Sequence, residues 1–261
     1  MRQNFKDHEY FTRYINLNRA LYENGLLKVK ENKVNPEMIN WYKKSLLDKL
    51  LDLTISYYTN GSGLNVLVGE FDKILDYIEE SWLTDVVKLQ YKNKIYNQYT
   101  FFSYSQMLWM LSLAYLLNVS ESDFNKLVKL IDRDGVKDIL FEFIIRAKIK
   151  DRVVNPEETY KDYFHIPTMF SKVRQAIVET KKVKMQSLVN EYVTKEWHKN
   201  LKKTGWYNSH KNIHETYFGY WSFETAAVVK IMKLDDSSFI NCQYYPKDLV
   251  HYYPKDLVHS K

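Results

Sequence analysis

His198, His210, His214, Ser222 and Cys242 are the side chains whose types and spacing invite a chemical reading. His210 and His214 stand four residues apart, with Glu215 next. On a helix, that spacing puts two imidazoles on one face, where they can share a metal. The stretch reads His210-Lys211-Asn212-Ile213-His214-Glu215 and lacks the Glu that follows the first His of zinc proteases. Spacing fixes no third ligand. The simpler reading makes these polar or capping histidines, so no metal is expected. Ser222, in Gly219-Tyr220-Trp221-Ser222-Phe223, lacks the second glycine of a nucleophile elbow. Cys242 stands without a His–Asn or His–Asp arrangement that would generate its thiolate. Asn60-Gly61-Ser62-Gly63 is not followed by Gly-Lys-Ser/Thr and reads as a loop, not a phosphate cradle. The expectation is a protein that is not an enzyme and takes no cofactor. A metal-dependent enzyme built on His198, His210 and His214 is the remoter alternative.

Charge patterning says more. Between residues 70 and 85 stand Glu70, Asp72, Asp76, Glu79, Glu80 and Asp85 against Lys73. Asp72, Asp76, Glu79 and Glu80 fall opposite the apolar series Phe71, Ile74, Leu75, Ile78 and Trp82. A second acidic group gathers Asp132, Asp134, Asp138 and Glu142, tempered by Arg133 and Lys137. Exposed acidic patches can mimic phosphate and steer a basic partner. Their simpler reading is a solvated helix face. A basic stretch runs through Lys181, Lys182, Lys184, Lys195, Lys199, Lys202 and Lys203, with Tyr192, Trp197 and Trp206 interleaved. A nucleic-acid-binding regulator would use such a stretch. The favoured reading is again a solvated face with its aromatics turned to the core, and no nucleic acid is expected as partner.

The elements that position these groups are helices. Seven Gly and five Pro in 261 residues are too few for a sandwich or barrel, and hydrophobic residues at 45% suffice for a sizeable core. The fold class expected is all-α, a compact multi-helix bundle of two packed helical subdomains. Helical spacing marks residues 8–24, with Asn24-Gly25 as a stop. A second helix runs from Asn35-Pro36 to the break at Asn60, and a third starts near Leu64. An aromatic helix covers about 101–117, Ser120-Glu121-Ser122-Asp123 resembles a capping box, and another helix spans 136–149. Asn155-Pro156-Glu157-Glu158 reads as a turn with an acidic helix start, and His165-Ile166-Pro167-Thr168 as a second break. A basic helix or helix pair extends over about 169–203, faltering near 180–184, and a last helix covers about 213–232. The 22 Tyr read chiefly as a Tyr-rich core.

The domains expected are 1–118 and 119–251, followed by a duplicated tail at 252–261. Residues 244–251, Tyr-Tyr-Pro-Lys-Asp-Leu-Val-His, recur at once as 252–259. One copy can fill a given docking site, so the second is expected to fray. Residues 1–9 are charged with no apolar run after them, and the apolar run 107–117 is too short to span a bilayer. With one cysteine and no such segments, a cytoplasmic protein without a membrane partner is expected. Net charge is +6.

The segment Tyr217-Phe218-Gly219-Tyr220-Trp221-Ser222-Phe223-Glu224-Thr225-Ala226-Ala227-Val228-Val229-Lys230-Ile231 is distinctive. So are Leu234-Asp235-Asp236-Ser237-Ser238-Phe239 and Tyr244-Tyr245-Pro246-Lys247-Asp248-Leu249. Together they resemble the C-terminal domain of the PoNi immunity-protein family. Residues 50–60, with Tyr57-Tyr58, and the helix after Gly63 resemble its N-terminal domain. The resemblance implies a cytoplasmic, all-helical bacterial antitoxin that binds a cognate nuclease toxin of the PoNe class and catalyses nothing. The motif residues Gly219, Tyr220, Trp221, Phe223, Glu224, Ala226 and Ala227 read as architectural. Tyr220, Phe223, Ala227 and Ile231 lie at helical steps, and small Ala226 lets a neighbouring helix approach. Glu224 among apolar neighbours is expected to be a buried carboxylate with a basic or Tyr partner. The residues expected to face the toxin are Asp72, Asp76, Glu79 and Glu80, and then Asp132, Asp134 and Asp138. Because the chain is net basic, either these groups act locally or the toxin presents a different surface.

Overall fold

Asp7 opens the first helix. Its side chain accepts the Tyr10 N–H at 2.7 Å, satisfying one orphan donor of α1 (His8–Lys30). α1 buries Tyr10, Phe11, Tyr14, Ile15 and Tyr22. The stop expected at Asn24-Gly25 is absent, and the helix runs on to Lys30. Gly25 serves packing instead: a Cβ there would collide with Leu46 Cδ2 of α2 (Ile39–Asn60). A glycine inside a helix costs up to about 1 kcal/mol against alanine, and here the missing side chain lets two helices close up. α2 ends at Gly61, whose φ of +94° is left-handed backbone that glycine adopts without strain. α3 (Leu64–Ser81) then buries Phe71, Ile74, Leu75 and Ile78 as their spacing predicts, with Trp82 just past its end. Removing one such side chain from water is worth about 1.5–3 kcal/mol. α2 packs against both α1 and α3. Arg19 of α1 ties all three, its Nη2 donating to Glu70 Oε2 of α3 at 2.6 Å and to the Tyr57 hydroxyl of α2 at 3.2 Å. The short helix α4 (Thr84–Val87) ends the run.

The computed structural model describes residues 1–153 and 166–252. The chain divides into two units, one of Met1–Val87 with Asn208–Gly219, the other of Lys88–Tyr207 with Tyr220–Lys261. In the first unit, the later segment adds no helix beyond a 3-10 turn at Ser209–Lys211. A helix was expected over 213–232, and it begins only at Phe223. The reason is local. The Tyr10 hydroxyl donates to the Tyr217 carbonyl and accepts the Tyr217 N–H, both at 2.9 Å. Thr59 Oγ1 donates to the Phe218 carbonyl at 2.9 Å. Backbone groups already satisfied by side chains gain nothing from a helical ladder.

The second unit opens with the hairpin β1 (Lys88–Tyr91) and β2 (Lys94–Tyr99), antiparallel, with Tyr91 opposite Lys94. Lys92 and Asn93 form its tip at φ +47° and +60°, the signature of a type I′ turn. α5 (Phe101–Leu116) is buried on nearly all sides, and β2 packs on it together with the helices Glu121–Asp134, Ile139–Lys148 and Phe223–Met232. A helix apolar all round is a core helix. α6 (Glu121–Asp134) starts as its capping signal predicts, Ser120 Oγ accepting the Asp123 N–H at 3.0 Å. α7 (Ile139–Lys148) starts later than expected because Asp138 caps it. The turn expected at Asn155-Pro156-Glu157-Glu158 lies outside the described residues. α8 (Ile166–Met169), α9 (Ser171–Val178) and α10 (Lys182–Glu191) follow, the break falling at residues 179–181. A π-turn at Tyr192–Glu196 leads to α11 (Trp197–Asn200). α12 (Phe223–Met232) and α13 (Lys247–Val250) complete the unit. The fold is predominantly helical, with one two-stranded sheet among the described residues.

Aromatic rings fill this second core. Trp206 lies 5.6 Å from Trp109, 5.9 Å from Trp197 and 5.8 Å from Tyr220, centroid to centroid. Such pairs add about 0.5–1.5 kcal/mol each beyond area burial. The first copy of the repeat docks here. Tyr245, Leu249 and Val250 are buried. The Tyr245 hydroxyl donates to Asp236 Oδ2 at 2.9 Å, and His251 Nε2 meets the same oxygen at 3.0 Å.

Candidate functional site

A helix turns 100° per residue, so steps of four, three and one keep residues 72, 76, 79 and 80 within one side of α3. All four are exposed: Asp72, Asp76, Glu79 and Glu80 stand on the surface while the opposite side is core. Glu80 meets Lys43 Nζ at 3.3 Å, a surface pair worth at most about 1 kcal/mol. Asp85 accepts from Asn40 Nδ2 at 2.9 Å. Glu70 differs from its neighbours. It is buried and held by Arg19 at 2.6 Å and by Lys73 at 2.9 Å. The sequence grouped it with the acidic run, yet it braces the three helices.

The second acidic group divides in the same way. Asp132 is exposed and gripped by Arg152, Nη1 to Oδ2 and Nη2 to Oδ1, each at 2.8 Å. Arg152 also holds Glu142, at 2.9 Å through Nε and 2.6 Å through Nη2. The hydrogen bonds to Asp132 and then Glu142 push the guanidinium pKa above its ordinary value. Asp134 and Asp138 were expected on the same surface, and that placement is corrected, since both are buried. Asp134 accepts the Tyr99 hydroxyl at 3.0 Å and Arg133 Nε at 3.0 Å. Asp138 caps α7, taking the N–H groups of Leu140 and Phe141 at 2.9 Å each. It also accepts Arg174 Nη1 at 2.7 Å and the Tyr104 hydroxyl at 3.2 Å. A buried carboxylate needs this many donors to repay its lost hydration. Sequence cannot separate such an aspartate from an exposed one, because its donors come from distant elements.

The motif residues Gly219, Tyr220, Trp221, Phe223, Glu224, Ala226 and Ala227 are all buried. Gly219 takes φ +132°, open to glycine and strained for other residues. Ala226 and Ala227 lie on α12, which packs against α5. Glu224 finds the tyrosine its surroundings called for. The Tyr192 hydroxyl donates to its Oε1 at 2.9 Å, and Ser222 Oγ donates at 2.8 Å. Burial pushes the Glu224 carboxyl up. Hydrogen bonds from its own backbone N–H, Ser222 and Tyr192 oppose that rise.

The histidines do not assemble. His210 sits in the 3-10 turn with its ring 4.6 Å from Phe5, and His214 lies in an exposed loop. No helix joins them, so the i, i+4 geometry that a shared metal required is missing. His198 stacks on Tyr207 at 4.5 Å and on Tyr244 at 5.0 Å. No group of three or more His, Cys, Asp or Glu among the described residues could hold a metal ion. Burial pushes the Cys242 thiol up, away from the thiolate a nucleophile needs. In the basic stretch, Lys181, Lys182, Lys184, Lys195, Lys199, Lys202 and Lys203 are exposed, while Tyr192, Trp197 and Trp206 are buried. Rings turned inward offer no platform for bases. No helix among the described residues is long and apolar enough to cross a membrane.

No curated protein matches the chain. A crystal structure of protein PA2201 from Pseudomonas aeruginosa has the same fold, with a TM-score of 0.52 and 14% identity over 94% of this chain and 95% of that one. The family model described as PoNe immunity protein (PoNi), N-terminal, matches residues 2–129, and that described as PoNe immunity proteins (PoNi), C-terminal, matches residues 136–249. With nearly its whole length matched by the two models, this chain belongs to the PoNe immunity protein (PoNi) family.

Proposed function

We propose that this chain is an antitoxin that binds a cognate PoNe-type nuclease and covers its active site or the path of its substrate. Family membership supports the immunity role. The observation that carries the mechanism is the row of exposed carboxylates Asp72, Asp76, Glu79 and Glu80 on α3. A nuclease must hold a polyanion, so its substrate surface is cationic. A rigid row of carboxylates competes for that surface and speeds encounter with it. The reading needs no catalysis by this chain and operates in the cytoplasm, where the nuclease would meet DNA. The test is co-expression with the cognate PoNe-type nuclease toxin, sought among the genes beside this chain's own. Host survival together with co-purification of the two chains supports the proposal. Death of the host despite soluble expression of this chain sinks it.

A further inference from the structure

Gly69 lies in the middle of α3, fully helical and exposed. Nothing among the described residues asks for a glycine there. A Cβ built on it meets no atom within 4 Å, whereas one on Gly25 collides with Leu46. Its φ is not left-handed, as Gly61's is. A helix-interior glycine weakens its helix relative to alanine, so the fold bears that cost without return. The position has a definite neighbourhood. Asn65 and Val66 lie one turn before it, Asp72 and Lys73 one turn after, and Asp76 two turns after, all exposed. Gly69 is therefore a notch in the face that carries the acidic row.

We propose that Gly69 is the point of closest approach of the toxin on α3, where the partner's main chain or an aliphatic stem of its basic side chains packs against bare helix. This inference rests on the immunity reading and names where on α3 the contact closes. A surface that complements the row must be cationic. Lysine and arginine reach carboxylates at Asp72 and Asp76 with their heads while laying their stems along the helix. A side chain at residue 69 would hold those stems away. The glycine costs stability in the unbound chain and gives close packing in the complex, as small residues do wherever two backbones must meet.

The experiment is a size series, Gly69→Ala, Gly69→Leu and Gly69→Trp, measured against a catalytically inactive form of the cognate PoNe-type toxin. Thermal melting comes first. Gly69→Ala should melt roughly 2–4 °C above the wild type, because an exposed helix interior gains from losing glycine. Affinity for the toxin should then fall with size, modestly for Ala and on the order of 100-fold for Trp, chiefly through faster dissociation. Folded Gly69→Trp protein that binds as tightly as the wild type overturns the close approach and leaves the immunity reading standing. Wild-type protein that fails to bind the toxin overturns both.

Discussion

Glu224 has no route to water: its side chain is fully buried, and its hydrogen bonds come from Tyr192, Ser222 and its own helix. Its carboxyl pKa lies above the ordinary value of 4.5, with burial as the leading cause. A carboxyl raised in the folded state contributes its full stability below the unfolded pKa and loses it as pH rises through the folded one. Replacing Glu224 with Gln removes that dependence and leaves an oxygen for Tyr192. The stability of Glu224→Gln relative to wild type should therefore grow as pH climbs from 4.5 toward neutrality, in urea melts at several pH values. Glu224→Ala should instead lose about 1–3 kcal/mol at every pH, because it strands the buried Tyr192 hydroxyl. A Gln variant with the same pH profile as wild type would show that Glu224 does not titrate with folding. The sequence called for a buried carboxylate here, since Phe223 precedes it and the apolar run Ala226-Ala227-Val228-Val229 follows one residue on. It could not name Tyr192, which comes from an element 32 residues away.

Elements were legible where periodicity, caps and core faces agreed. α3 has the periodicity and the core face, with the Gly61–Gly63 break before it in place of a cap, so its buried stripe and its acidic face both follow from spacing. The hairpin Lys88–Tyr99 was not foreseen, because its Lys92-Asn93 tip lacks the Asn-Gly signal of a type I′ turn. Gly25 misled for the opposite reason: a glycine after an asparagine reads as a stop, and only the neighbouring Leu46 reveals a packing role. The acidic face of α3 makes a prediction proper to an element. Double reversal, Asp72→Lys with Asp76→Lys, leaves the buried face untouched and changes the field the partner meets. Association with the inactive toxin should slow by about tenfold at low salt, with dissociation less affected. The gap between mutant and wild type should close in roughly 0.5 M salt, where charges are screened within a few ångströms. Stopped-flow rates that are equal at low salt would rule out α3 as the steering surface.

At the scale of the whole molecule, net charge and partner choice come apart. The chain is net +6, yet its lysines at 181–203 are spread over a solvated surface, while the carboxylates of α3 are aligned. A partner responds to the local field within about 8–10 Å and not to the sum, so a basic antitoxin for a DNA-binding toxin involves no contradiction. The terminal duplication tests the same separation between composition and structure. The first copy is an integral part of the second unit: Tyr245, Leu249 and Val250 are buried, and Ser222 N–H donates to the Tyr244 carbonyl at 2.8 Å. Lys230 anchors it further, its Nζ donating to the carbonyls of Leu249 at 3.1 Å and Tyr252 at 2.7 Å, and to Leu116 at the end of α5 at 3.2 Å. Burial pulls that ammonium down to about 8. All but one of these contacts belong to residues outside the second copy, and the exception, Tyr252, offers a backbone carbonyl that any residue supplies. Because the copies are identical and contiguous, deleting either one yields the same chain, ending Tyr-Tyr-Pro-Lys-Asp-Leu-Val-His-Ser-Lys. That single-copy chain should melt within a few degrees of the full one and protect its host equally well. Deleting both copies removes three buried apolar side chains, each worth about 1.5–3 kcal/mol, and leaves Asp236 without Tyr245 or His251. A loss of that size consumes most of a typical domain's net stability of about 5–15 kcal/mol. The double deletion should therefore yield an unfolded or aggregated protein, measured by circular dichroism and size-exclusion chromatography. If it folds like the full chain instead, the docked copy does not hold the second unit together.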